Sequence, residues 1–427
     1  MANNFASNFT NQIIRVFLEK FQTARVLTKN VNTQKLDGKF KPSTGDTVFF
    51  KRPTDYLTFR NATGNLTSHT ATDIITGKAS GVVQDYFTVL VDYDEADEAI
   101  KMDQLDQLLA PMATRIVTDL EIDFAAFMLK NSGLLAGTFG TAVTTWSDVA
   151  EASAVLKSTG IPQDAEWLYT MNPFTQNTLA DQVRSLGAGG VAGQLVKDAN
   201  DRAVISSNFA GMRVMTSTAL STFTTVATGD RVGAINGTPD VTYVTAKDTM
   251  TQSIPVNLFG TFSGTIPAGE VIQITGRNRL NLSTRQPIVN GAGANVLFTG
   301  VLTADAVLSS GAGTFIVSGP AIFESGSGVG AHNTVDSVLT SGDVVTLLGN
   351  DSTLYQPNLF WHKEAFSLGS VPIKKLHSTD TLATTEDGLQ FRVSLGSNFT
   401  QNSQQVRVDF RPAYSVLNPF FAGQGWG

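Results

Sequence analysis

The chain has 427 residues, 42% of them hydrophobic and 16% charged, with a formal net charge of -7. That length gives two to four domains' worth of chain with ample core, and the acidic balance argues against a general nucleic-acid-binding surface. There is no Cys, which excludes a disulfide framework, a thiolate zinc site and a cysteine nucleophile together.

Charge is replaced by Thr, Ser, Asn and 38 Gly, a composition that favours strands, turns and loops. Met1 to Thr10 has neither a basic run nor an apolar core, so no signal peptide is expected. No window is apolar for long enough to span a membrane. Phe9, Ile13, Ile14, Phe17, Leu18 and Phe21 form one stripe at helical period and predict an amphipathic N-terminal helix. From Lys29 to Thr44 the chain is polar, basic and expected to be extended.

A strand predicted over Thr47 to Arg52 ends at Pro53, and a second is expected over Gly81 to Val91. Between them, Thr54 to Ser80 is rich in Thr and Asn and nearly free of large apolar residues. The whole reads as an extended β-hairpin that cannot bury itself, and so as an arm that meets another subunit. The longest helix is predicted over Met102 to Lys130, with Leu105, Leu109, Met112, Ile116, Leu120, Phe124 and Phe127 on one face. It would be roughly 40 Å long, kinked at Pro111 or regular only after it, and closed by a glycine stop at Asn131-Ser-Gly133.

An α/β segment follows. One helix is predicted from an N-cap at Ser147 to Ser158, with Gly160 as its stop, and a buried strand over Glu166 to Met171. Asn172-Pro173 opens a further helix through Arg184, Gly187 to Gly193 is a loop, and Phe209 to Thr216 reads as one strand. Composition then shifts. Between Thr224 and Asn350 lie 18 of the 38 Gly, no Trp and one Tyr, Tyr243. Short strands recur there, at Glu270 to Thr275, Asn295 to Leu302 and Thr314 to Ser318, the pattern of a small all-β sandwich or barrel inserted into a host domain. The host resumes at Asn358-Leu-Phe-Trp-His-Lys-Glu-Ala-Phe and continues in strands to Gln405-Val-Arg-Val-Asp-Phe.

No catalytic motif is coherent. Gly187-Ala-Gly-Gly-Val-Ala192 matches a dinucleotide fingerprint in form, but a helix rather than a strand precedes it. His69, His332, His362 and His377 lack metal-ligand spacing, and each reads as a surface or structural residue. Asp92 to Glu98 is the one carboxylate cluster; an EF-hand would need Gly where Asp97 sits and Glu where Asp103 sits, so it reads as a solvated turn. Enzymatic activity, a cofactor and a metal are therefore not expected. Residues 1–52 carry nine basic against three acidic residues, and residues 53–133 five basic against thirteen acidic. Such opposed neighbours suit either subunit register or pairing within the chain.

The order of parts, with Trp167-Leu-Tyr-Thr-Met-Asn-Pro, Asn208-Phe-Ala-Gly-Met-Arg-Val, Gly264-Thr-Ile-Pro-Ala-Gly-Glu-Val-Ile-Gln-Ile-Thr-Gly and Asn358-Leu-Phe-Trp-His-Lys-Glu-Ala-Phe, resembles the HK97-like fold of tailed-phage major capsid proteins. Within it the chain is most similar to the P22-type coat proteins, which carry an inserted domain. The resemblance implies an α+β fold: an N-terminal arm (1–40), an E-loop hairpin (41–91), a spine helix with peripheral and first axial parts (92–223), an inserted β-barrel (224–350) and returning axial and peripheral strands (351–427). It further implies self-assembly into hexamers and pentamers of an icosahedral procapsid, guided by a scaffolding protein in the host cytoplasm. One vertex would hold a portal, and the shell would expand around double-stranded DNA packaged without sequence specificity; a decoration protein is left open. The subunit-interface candidates are Arg15 and Arg25 in the N-arm, Lys51 and Arg52 at the hairpin's root, and Tyr56, Phe59 and Arg60 along it. In the insertion, the segment Asn236 to Met250, with Asp240, Lys247 and Asp248, is the candidate for a loop that crosses local two-folds. Two alternatives stand beside this reading: an encapsulin-like nanocompartment shell protein and a β-rich phage adhesin or fibre protein.

Overall fold

The computed structural model describes residues 15, 17–33, 47–52, 54–94, 105–164, 166–186, 194–326, 329–376, 380–398, 400 and 403–427. The chain divides into two compact units, each discontinuous in sequence. The first takes 1–50, 80–125 and 366–416, the second 51–79, 126–365 and 417–427.

In the first unit the N-terminal helix covers 17–24, with Phe17 and Phe21 buried. Their rings meet Phe391 at 5.1 and 4.6 Å between centroids, and Phe21 also meets Phe410 at 5.9 Å. Phe391 and Phe410 face each other across paired strands, so an aromatic cross-strand pair receives the helix. The helical expectation for Phe9, Ile13 and Ile14 lies outside the described residues. The sheet beneath runs in the order Thr381–Thr384, Gln390–Asn398, Ser403–Phe410, Phe87–Asp94, all antiparallel.

The single strand expected over Gly81 to Val91 is two strands, Lys78–Val83 and Phe87–Asp94, in different sheets. The break has a cause in the backbone. Gln84 donates its N–H to Pro412 O at 2.9 Å and accepts from Arg411 Nε at 3.2 Å, while the Arg411 guanidinium sits 5.0 Å from the centre of the Tyr86 ring.

The long helix spans Leu105–Lys130; residues 102–104 of the expected range lie outside the described residues. The helix continues through Pro111, which is exposed. Met112, Ile116, Leu120 and Phe124 recur every fourth residue and are buried, Phe124 against Tyr414 and Phe366. The expected glycine stop is corrected. Asn131 Nδ2 donates to Phe127 O at 2.8 Å and Ser132 Oγ to Met128 O at 2.7 Å, so side chains satisfy the last carbonyls. Gly133 is not left-handed; it is needed for closeness, since a Cβ there would lie 2.9 Å from Pro419 O.

In the second unit a six-stranded mixed sheet has the order Leu134–Ala136, Ala422–Gly425, Asn358–His362, Trp167–Met171, Met212–Thr216, Asn208–Phe209. Trp167–Met171 is buried at every position, as its apolar run implies. The helix Trp146–Thr159 is capped by Thr145 rather than Ser147. The Asp148 carboxylate accepts from the N–H of Thr144 and of Thr145 and from Thr145 Oγ1, which ties the first turn one residue-pair earlier than expected. The strand expected over Phe209 to Thr216 is a tight hairpin, because Ala210 (φ 51) and Gly211 (φ 78) form a two-residue turn with both residues left-handed.

The expected small barrel is closed by six strands: Val232–Ile235, Thr251–Asn257, Gly313–Ser318, Leu297–Leu302, Val271–Asn278 and Val344–Leu347. Ile254, Val256, Ile272, Ile274, Phe298, Phe315 and Val345 fill its interior. Along Thr251–Asn257, Gln252, Ile254 and Val256 point inward and alternate with more exposed neighbours, the period of a strand with one wet face. The long connection between Asn278 and Leu297 leaves the barrel wall, and its turn at 281–286 bears on the site below.

Candidate assembly arm and its anchorage

Residues 54–77 contain no strand or helix; they form an arm between the strands Thr47–Lys51 and Lys78–Val83, which are neighbours in one sheet. The arm is ordered by its own polar side chains. Asn61 Oδ1 accepts from Thr63 N–H at 3.1 Å and Asn65 Oδ1 from Thr67 N–H at 2.9 Å, local turns that replace a ladder. This is why the segment is rich in Asn and Thr. Three of its large apolar side chains point outward: Tyr56 is 54%, Leu66 51% and Ile74 73% exposed. Phe59 is half-buried, its ring 4.7 Å from that of His69, and Arg60 is exposed.

The root of the arm is held on both limbs. Arg52 is buried, donates from Nη1 to Leu417 O, and donates its backbone N–H to Gly77 O at 2.8 Å. Burial lowers its pKa to about 10, against the pull of Tyr243 and Asp248. On the returning limb Lys78 N–H donates to Asp248 Oδ1 at 3.0 Å, and Lys247 Nζ lies 3.6 Å from Asp248 Oδ2. Gly77 lies so flush against this segment that a Cβ would come within 2.5 Å of Lys247 O. Ile75 packs beside Tyr243, Ala246, Met250, Ile322 and Phe420. On the outgoing limb Asp55 Oδ2 accepts from Arg285 Nη2 at 2.6 Å. Tyr243 stacks on His332 with centroids 3.5 Å apart and planes 7° from parallel. Burial, and then the nearby Arg285 cation, pushes the His332 imidazole down to about 4, so the ring is neutral at physiological pH.

The structure thus brings together Arg52, Lys247 and Asp248, singled out from two distant stretches of sequence. Asp240 is exposed and outside these contacts, and Lys51 is exposed beside the arm's root. Arg15 is helical and exposed. Arg25 is buried and directed inward, paired with Asp387 and 5.1 Å from the centre of the Phe21 ring. Sequence reasoning missed Asp55, Tyr243, Arg285 and His332, whose partners lie far along the chain and which no local pattern marks.

Other buried charge has structural employment. In the first unit Glu121 accepts from the N–H of Leu27 at 2.7 Å, from Thr28 N–H at 2.9 Å and from Thr28 Oγ1 at 2.5 Å. It ties the turn after the N-terminal helix to the long helix, although burial pushes its carboxyl up against those donors. Burial alone would raise Asp409 too, but hydrogen bonds from Arg392, Arg407 and Thr88 outweigh it and hold that carboxyl below its usual value.

In the second unit His362, Asp164 and Glu166 lie close enough to suggest a metal site. Their hydrogen bonds argue for a different role. His362 Nδ1 accepts from Glu364 N–H at 3.2 Å, so the neutral ring carries its proton on Nε2, which faces Asp164 Oδ2 at 3.1 Å. That nitrogen is a donor to the carboxylate, and Lys363 Nζ already stands 3.5 Å from Glu166. Among the described residues no helix is long and apolar enough to cross a membrane.

The family of the chain is shown by its sequence matches. Residues 1–426 match the family model described as P22 coat protein, gene protein 5. The major capsid protein of Acyrthosiphon pisum secondary endosymbiont phage 1 is 36% identical over 432 residues, covering 100% of each chain. Among solved structures the chain is similar to one from Mycobacterium phage Che8, with TM-score 0.45, 12% identity, and coverage of 94% of this chain and 90% of that one. It is also similar to the capsid of cyanophage P-SCSP1u, with TM-score 0.40, 11% identity, and coverage of 89% and 83%. From the two end-to-end sequence matches, the chain belongs to the P22 coat protein family: it is a structural major capsid protein of a tailed phage, which assembles with copies of itself into the shell of the virion.

Proposed function

We propose that residues 41–91 are the E-loop, with 54–77 as its projecting arm, through which each subunit overlaps its neighbour in an icosahedral shell of hexamers and pentamers. The observation that carries this reading is an arm fixed at its root yet presenting Tyr56, Leu66 and Ile74 to solvent. Burying such side chains on a neighbour contributes about 1.5–3 kcal/mol each, together on the order of the 8 kcal/mol of a micromolar contact. Contacts of that strength are reversible singly and stable in a closed shell, which suits error correction during assembly.

In the same reading the long helix is the spine, 224–350 is the insertion domain, and 1–40 is an N-arm. The remaining stretches, 92–223 and 351–427, build the peripheral and axial parts. Assembly takes place in the host cytoplasm as a procapsid on a scaffolding protein, with a portal at one vertex. The shell then expands around double-stranded DNA held without sequence specificity, and its outside can carry a decoration protein. The alternatives, an encapsulin-like compartment or a fibre protein, give no account of an end-to-end match to a phage coat protein.

The test is to replace residues 56–74 with a short Gly-Ser turn. Thr54 Oγ1 already donates to Ile75 O at 2.9 Å, so the stumps lie close enough to join. The expected product is a folded, soluble subunit that forms no closed particles in negative stain when expressed with the genes that flank it. Normal particles from this chain would falsify the E-loop assignment.

A further inference from the structure

The turn 281–286 grips the arm although it contributes nothing to the barrel wall. We propose that this turn is a clasp which, through Arg285 and Asp55, sets the course of the arm as it leaves its root and so decides where it meets the next copy of the chain. The proposal rests on the reading of 54–77 as the assembly arm.

Rigidity on the gripping side is the first part of the argument. Asn281 Oδ1 accepts from Ser283 N–H and Thr284 N–H, each at 2.8 Å, and Arg285 N–H closes back onto Asn281 O at 2.9 Å. The turn is tied to the end of the helix Trp146–Thr159, by Asn281 Nδ2 to Ser158 O at 2.7 Å and by Leu282 N–H to Thr159 O at 2.9 Å. Arg285 itself is held left-handed at φ 56, a conformation that a non-glycine residue keeps only where its surroundings impose it. Its guanidinium fork is anchored at one end on Asn333 O at 2.7 Å and reaches Asp55 with the other. Asn333 is fixed in turn by a reciprocal pair of bonds with the Glu324 backbone.

Asp55 is placed to pass that grip on. One carboxylate oxygen meets Arg285, and the other accepts from Tyr56 N–H at 2.8 Å, the first peptide of the exposed arm. The pair is partly exposed, the Asp55 side chain 46% and that of Arg285 20%, so its contribution to fold stability is small. Its effect is on direction, repeated in every copy of the shell. A steering role and a folding role therefore separate experimentally.

The experiment uses the full chain, expressed with its flanking genes, as Asp55→Arg, Arg285→Asp and the double exchange, read by negative-stain particle counts and by thermal melting. Asp is among the residues that accept a left-handed backbone, so Arg285→Asp does not strain the turn. Like charges at this distance cannot stay paired, so each single variant is expected to lose roughly tenfold or more of its closed shells with melting unchanged. The double exchange restores the opposite charges and is expected to recover most of that loss. Single variants that form normal shells overturn the clasp while leaving the arm reading to its own test. Lowered melting, or a double variant no better than the singles, assigns the pair to folding or to nothing and overturns it equally.

Discussion

The barrel and the arm belong to the same compact unit and treat their backbones in opposite ways. Each barrel strand pairs on both sides, so the six-stranded ring has no free edge, and its apolar side chains face one another. The arm has no ladder, satisfies its backbone with Asn and Thr side chains, and turns Leu66 and Ile74 to solvent. A chain that must fold alone and then assemble needs both kinds of surface. The difference assigns stability to the one and association to the other, and substitutions in each should report on different measurements.

The largest effect is expected where the barrel meets the end of the long helix. Arg279 is buried, donates from Nη2 to Gly133 O at 3.0 Å and Thr299 O at 2.6 Å, and lies over the rings of Phe298 and Phe420. Among the described residues no carboxylate pairs with it, and burial lowers its pKa to about 10. Arg279→Ala strips two buried carbonyls of their donor and opens a cavity, a loss of about 3–5 kcal/mol in urea unfolding. Arg279→Met keeps the volume and is expected to lose about 2 kcal/mol, the hydrogen-bond share alone. An alanine variant as stable as the parent would mean that the barrel does not depend on this tie.

On the arm the expectation reverses. Leu66→Ser with Ile74→Ser removes apolar surface that the isolated subunit leaves wet, so unfolding should shift by less than about 0.5 kcal/mol. Assembly loses the burial of both side chains, about 3 kcal/mol, which raises the concentration needed for shells roughly a hundredfold. Light scattering against concentration measures it. A destabilised subunit that assembles at the parent's threshold would erase the contrast between arm and barrel.

Much of this contrast is legible in the residues. The Asn- and Thr-rich run before Lys78, the fourfold recurrence from Met112 to Phe124, and the glycine-dense short strands each follow from local chemistry, and each is an element of the fold. Errors arose where one local rule outweighed another. Gly133 reads as a stop but serves a close approach to Pro419; Ser147 reads as a cap but Thr145 holds Asp148; Ala210-Gly211 turns a strand back on itself. The anchorage was not legible. Arg52, Lys247 and Asp248 are expected from the family resemblance at contacts between subunits, which says nothing of their bonds within the chain. Asp55 and Arg285 are brought together by a turn whose position depends on the packing of helix and barrel. No periodicity encodes such a contact.

The smallest expected effect sharpens the comparison at the point where arm and barrel connection meet. His332 lies flat on Tyr243 with Arg285 and Asp55 nearby, and its folded pKa of about 4 stands below the 6.5 of an unhindered imidazole. A base with a lowered folded pKa binds fewer protons in the native state than in the unfolded one. Its contribution is therefore fully present above pH 6.5 and is lost as pH falls from 6.5 towards 4. His332→Phe keeps a ring against Tyr243 but cannot take up the proton. Urea melts of parent and variant between pH 4.5 and 7.5 should run parallel above 6.5 and converge below it, the parent losing the steeper share. The two chains are identical at every other position, so the remaining groups cancel in the difference. Curves that stay parallel to pH 4.5 would mean that His332 already reaches water, and that the stacked pair is as open to solvent as the arm above it.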